Sequence, residues 1–235
     1  GQLKEVCEYK DGEFVGALSH YSESGELVEQ IQYEGGKLEG LYFYKSPRGY
    51  EQVTTYKNDL KEGLESFYLP NDGTREKVKV LESTYHQGEL SGFLHIYTKE
   101  GSPMYYSEWD QDRKEGQEVY FFPDGSKSAV LGYSNNELEG LCQAFYPSGA
   151  IELEVTYKQG KKHGPENVYY EQGGLKRQKI YDHGTLHGKF EEWGEKGLKT
   201  YEASYEAGVL EGPCRKWSSS GRLRLEQFYK HGNLH

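Results

Sequence analysis

The stretch Tyr181–Gly188 reads YDHGTLHG. It returns 24 residues later as YEAGVLEG, Tyr205–Gly212, and stands 24 residues earlier as YKQGKKHG, Tyr157–Gly164. An aromatic, a short polar turn and a glycine therefore recur at a fixed distance. The aromatic recurs along the whole chain, as Tyr9, Tyr33, Tyr56, Tyr85, Trp109, Tyr133, Tyr157, Tyr181, Tyr205 and Tyr229. Most steps are 24 residues; one is 23 and one is 29. Seven residues after each of the first nine landmarks lies a glycine: Gly16, Gly40, Gly63, Gly92, Gly116, Gly140, Gly164, Gly188 and Gly212. A fixed period of this size is the mark of a repeat architecture.

A second glycine series runs Gly25, Gly49, Gly73, Gly101, Gly125, Gly149, Gly173, Gly197 and Gly221, and Gly1 fits one period earlier. Both series read as turns, because glycine takes positive φ at little cost. The segments between them read as strands. In GAIELEVTY the residues Ile151, Leu153, Val155 and Tyr157 alternate with polar neighbours. Leu27, Ile31 and Tyr33 repeat the pattern, as do Leu223, Leu225 and Tyr229. A period of two marks a half-buried strand. The strand before a second-series glycine carries an aromatic five residues past its own glycine, as at Tyr21, Tyr68, Tyr97, Phe121, Phe145, Tyr169, Trp193 and Trp217; the Gly40 unit has Lys45 there, with its aromatics at Phe43 and Tyr44.

Two short strands per unit make a chain of hairpins. One hairpin cannot bury its apolar face alone, so neighbours must stack. The expected fold is all-β: an elongated, twisted, single-layer antiparallel sheet of about nine 24-residue repeats, forming one domain over residues 1–235. No segment holds a helical period for ten residues without a glycine. The 29-residue step inserts extra residues around 74–84. It predicts a longer or bulged strand pair there, and a protruding hairpin suited to a partner contact.

These motifs resemble the MORN repeat family, in its 24-residue bacterial variant as found in YwqK-type antitoxin proteins. The variant's pattern is an aromatic, a glycine three residues on, a leucine two further and a second glycine two beyond that. Tyr9–Gly16, Tyr33–Gly40, Tyr85–Gly92, Tyr181–Gly188 and Tyr205–Gly212 follow it closely. YKNDLKEG, WDQDRKEG and YSNNELEG put Asp or Asn at the first glycine, and both residues tolerate turn geometry. YKQGKKHG lacks the leucine. The resemblance covers essentially the whole chain. It implies protein–protein scaffolding or, in the eukaryotic branch, contact with membrane phosphoinositides. It brings no catalytic residues.

Composition narrows the function. The chain is 14% aromatic, with 22 tyrosines and 30 glycines, so it is expected to fold. A formal net charge of -10 argues against nucleic acid, which needs clustered cations, and against anionic lipid. The basic stretch near 158–179 reads as a solvated edge. No run of 18 apolar residues occurs, and GQLKEVCEYK holds no signal-peptide core. Cys142 and Cys214 are three repeats apart, about 29 Å along such a sheet, and Cys7 is further still, so all three are expected to be free thiols. A cytoplasmic setting is the favoured expectation.

The search for chemistry yields no catalytic, cofactor or metal site. His163, His187 and His235 occupy one repeat position, but successive rungs lie about 9–10 Å apart, too far for one ion. His183 shares a turn with His187 and adds only a second ligand. Glu39, Glu62, Glu115 and Glu139 fill the same position and form an open row without a cleft. Neither a G-x-S-x-G elbow nor a phosphate loop is present, so an enzyme is not expected. The landmark aromatics and glycines read as structural. Tyr42, Tyr44, Phe67 and Tyr120 lie two or four residues after a first-series glycine, where other repeats carry Glu or Lys, and read as the face away from the landmarks. Such an irregular aromatic patch can anchor a protein. The sequence therefore points to a non-enzymatic scaffold that binds another protein, antitoxin- or immunity-like, without cofactor. A membrane-lipid or cell-wall glycan module is the alternative, and open edge strands could add self-association.

Overall fold

The computed structural model describes residues 4–71 and 76–235. Gly1 and Gly73 of the second glycine series, and residues 74 and 75 of the insertion, lie outside them. The described chain forms strands and turns, with no helix among the described residues. It divides into two compact units. One is Gly1–Glu115 with Pro123–Gly125; the other is Gly116–Phe122 with Ser126–His235. In each unit the strands form an open antiparallel sheet, each strand pairing with its neighbours in sequence.

The first unit alternates such strands as Leu27–Glu34, Lys37–Lys45, Glu51–Lys57 and Leu60–Tyr68. The second repeats the pattern through Ile151–Lys158, Lys161–Tyr169, Leu175–Asp182 and Thr185–Trp193. Contacts run between strands that neighbour each other in the sheet, so among the described residues no second layer covers either face of a unit. The core is correspondingly thin. Its buried apolar side chains are Val119, Cys142, Val155, Ala203 and Cys214.

The hairpin turn is two residues long and sits two and three positions after the landmark aromatic. Both turn residues take positive φ, as in Gly35 and Gly36 (58° and 76°) or His183 and Gly184 (45° and 88°). These are the mirror-image turns that match strand twist. Asp59, Asp112 and Asn136 fill the second place at 68°, 60° and 66°, as the sequence predicts for Asp and Asn.

The first-series glycines are not turns, which corrects the sequence reading. Gly16, Gly40, Gly63, Gly92, Gly164, Gly188 and Gly212 each lie within a strand, at a bulge. Tyr33 pairs with Leu38 but Ile31 pairs with Tyr42, so the second strand holds two extra residues around Gly40. Gly40 has φ of 100° and pairs on its other side with Tyr56 of the next repeat. The same register puts Tyr181 opposite Gly164, Tyr205 opposite Gly188 and Tyr229 opposite Gly212. A landmark also pairs with the residue five places on, as Tyr181 does with Leu186 and Tyr205 with Leu210. The fixed spacing follows. The aromatic covers the bare glycine of the preceding repeat on one side and meets its own leucine on the other.

The described second-series glycines do close turns. Gly25 donates its amide to the Ser22 carbonyl at 3.0 Å and takes φ of 82°, ending a turn with a glycine bulge. The 29-residue step does not lengthen its strands. Leu60–Tyr68 and Lys79–His86 are nine and eight residues, like their counterparts. The extra residues enter the connection, which the Leu69 amide closes on the Val78 carbonyl at 2.9 Å. There the Lys77 ammonium pairs with the nearly buried Glu51 carboxylate.

Candidate functional site

The side chains of one face of each unit follow from this register. Landmark aromatics form one row. Beside it runs a row built from residues two before each landmark and two after each bulge glycine. In the first unit it reads Leu18, Ile31, Tyr42, Thr54, Glu65, Ser83, Leu94 and Ser107. In the second it includes Val155, Glu166, Lys179, Phe190, Ala203 and Cys214.

A third row lies two residues further out. In the first unit it runs Tyr44, Gln52, Phe67, Leu81, Ile96 and Tyr105. Tyr44 and Phe67 thus flank Gln52, and Tyr42 stands in the adjoining row. The face is the landmark face, where the sequence had set this patch apart from the landmarks. Tyr42 meets the Tyr56 ring edge-on at 6.1 Å and donates its hydroxyl to Glu29 at 3.0 Å. Burial, then that carboxylate, pushes the Tyr42 hydroxyl above the ordinary phenol range. Tyr44 is 37% exposed and Phe67 half-buried. Tyr120 is exposed and belongs to the second unit, in the equivalent row with Ala129, Ala144, Leu153 and Val168. That row then turns charged and polar through Arg177, Glu192, Tyr201 and Lys216. A groove of about 370 Å³ lies there, lined by Val168, Tyr170, Lys176, Arg177, Glu192, Trp193, Gly194 and Thr200.

Buried carboxylates interrupt the middle row. Glu65 is 3% exposed and accepts from Gln52 Nε2 (3.0 Å), Thr54 Oγ1 (3.1 Å) and Lys61 Nζ (2.7 Å). Lys61 Nζ also stands 4.5 Å from the centre of the Tyr85 ring. Glu166 pairs with Lys162, whose Nζ lies 5.2 Å from the centre of the Tyr181 ring. Burial lowers the affinity of each lysine for its proton, and the partner carboxylate outweighs it, leaving both above the ordinary lysine range. Lys61 and Lys162 stand where other repeats carry leucine. Lys114 and Glu118 take the same two positions in a third repeat, with Glu118 buried. In the repeats with leucine there, the partner position holds Tyr42, Leu94, Cys142, Phe190 or Cys214. This exchange of Leu with an apolar partner for Lys with Glu was visible in the sequence. Reading it needed the knowledge that the two positions face each other.

The glutamate row of the repeat has a structural task. Glu39, Glu62, Glu139 and Glu211 accept the first turn amide of the next repeat, from Asn58, Gln87, Gln159 and His231, at 2.6–2.9 Å. The Gln87 amide, then the His86 imidazole, holds the Glu62 carboxyl below its ordinary range. The three cysteines are free thiols, Cys142 and Cys214 buried, and burial pushes the Cys142 thiol up.

The histidines are arranged differently from the sequence expectation. His163 faces the following turn, where Asp182 and His183 stand; their ligating atoms lie within 4.8 Å of one another. The expectation compared equivalent positions, which are two strands apart. The actual neighbours are the residue before the bulge glycine and the turn of the next repeat, on adjacent strands.

A stack of hairpins with two-residue turns, glycine bulges and an uncovered face defines a hairpin-repeat protein that presents a surface. Within it, residues 138–159 match the family model described as a MORN repeat variant. A MORN repeat carries a binding or scaffolding role in general terms. Comparison with curated proteins finds no match to the chain.

Proposed function

We propose that the protein is a non-enzymatic scaffold that binds another protein through the landmark face of its first unit, in the manner of an antitoxin- or immunity-like factor. One observation carries this reading. Tyr44, Phe67, Leu81, Ile96 and Tyr105 share a row on a face that no second layer covers. A rigid repeat surface suits an extended contact, and tyrosine is favoured among residues that dominate binding energy. A net charge of -10 favours a basic partner and a salt-sensitive complex.

The test uses the immobilised full chain against an extract of its native source. Wild type should retain a polypeptide at low salt and release it as salt rises. Phe67→Glu should lose it. Leu64→Glu should keep it, because Leu64 is exposed on the opposite face, paired with Thr84. Equal retention by all three removes the proposed face. Absence of any retained polypeptide removes the scaffold reading.

A further inference from the structure

We propose that His163, Asp182 and His183 form a binding site for a divalent transition-metal ion of the zinc class. His163 belongs to the strand Lys161–Tyr169, Asp182 ends the strand Leu175–Asp182, and His183 opens the next turn. One carboxylate oxygen, Asp182 Oδ1, lies 3.3 Å from His163 Nδ1 and 2.7 Å from His183 Nδ1. The two imidazole rings stand 5.2 Å apart at 67°.

The 3.3 Å separation fits a shared ion, and the 2.7 Å one is a hydrogen bond between Asp182 and the His183 imidazole that a bound ion would replace. Bonds of about 2.0–2.1 Å in a tetrahedral site place ligand atoms roughly 3.3 Å apart. Two nitrogens and one oxygen leave a position open for water, as in sites with three protein ligands. Imidazole with carboxylate suits zinc and its neighbours in the first transition row over magnesium or calcium.

Two further observations separate this cluster from ordinary turn polarity. His163 Nδ1 is buried and makes no hydrogen bond; Asp182 lies close but off the line of one. His163 also occupies the place where Glu39, Glu62, Glu139 and Glu211 accept the next turn's amide. The last repeat supplies an internal contrast. Its turn carries His231 3.6 Å from Glu211, with one imidazole in place of two.

The test is calorimetric titration of the purified full chain, free of any histidine tag, with Zn²⁺, and with Co²⁺ followed by its visible absorption. Wild type should saturate with one ion per chain. His163→Gln and His183→Asn should each weaken binding at least about tenfold. Asn tolerates the left-handed conformation of residue 183, so the second variant keeps the turn. His187→Gln and His231→Asn should bind as wild type does. Absence of a saturable site in the wild type overturns the proposal. So does a single site whose affinity survives both cluster substitutions.

Discussion

Two neighbouring hairpins of the second unit solve one packing problem in opposite ways. Around Tyr157 and Tyr181, Lys162 and Glu166 form an ion pair under the Tyr181 ring. Around Tyr181 and Tyr205, Leu186 pairs with Tyr181, and Phe190 packs on the Tyr201 ring at 5.0 Å. The backbone register is the same in both. The repeat therefore specifies a geometry, two facing positions beside a bulge glycine, and accepts any pair that fills it without leaving a polar group unmet. The ion pair does so at a cost in desolvation that a leucine does not bear.

Breaking the ion pair from one side should have the largest effect. Glu166→Ala leaves Lys162 without its carboxylate, and we expect a loss of about 3 kcal/mol in denaturant unfolding, the low end for a broken buried pair. Lys162 is 34% exposed and can turn toward water. Next comes the bulge that sets the geometry. Gly92 has φ of 104°, and a Cβ there would meet Thr84 Oγ1 at 2.3 Å. That hydroxyl is fixed, donating to the Ser91 carbonyl and accepting from the Phe93 amide. Gly92→Ala should cost about 2–3 kcal/mol, from strain and from the lost hydroxyl contacts. On the apolar side, Phe190→Ala should cost about 2 kcal/mol, below the range for a fully buried ring because Phe190 is half-buried.

The smallest effect concerns the turn caps. The Glu62 carboxyl is held below its ordinary range, so its contribution is present above the unfolded value of about 4.3 and is lost as pH falls through the folded value. Glu62→Gln should lower the melting temperature slightly at pH 7. The gap between variant and wild type should close in acid. A gap that widens below pH 4 would show that the carboxylate is not the cap.

Much of this fold was legible in the sequence because the landmarks Tyr181, Tyr205 and Tyr229 and the glycines Gly164, Gly188 and Gly212 are partners across strands. What remained hidden has a physical cause. A two-residue turn and a strand bulge both require positive φ, so glycine at either looks alike; Gly184 and Gly188 could not be told apart by type. The insertion after Tyr68 looked like extra strand because Val78 and Val80 alternate with Lys77 and Lys79. The His163 cluster escaped because contacts between repeats join unlike positions, while a repeat invites comparison of like ones. The patch at Tyr42, Tyr44 and Phe67 was found by its irregular composition, but its face follows from the two-residue turn, which pairs Tyr33 with Leu38, four residues before Tyr42.

A double-substitution cycle on Lys162→Leu and Glu166→Phe, which installs the Leu186 and Phe190 pair in the ion-pair repeat, tests the facing of these positions most directly. Each single change should destabilise the protein. Together they should return it to within about 1 kcal/mol of wild type or above it, a coupling of about 2 kcal/mol or more. Losses that simply add would contradict a register in which the two side chains meet.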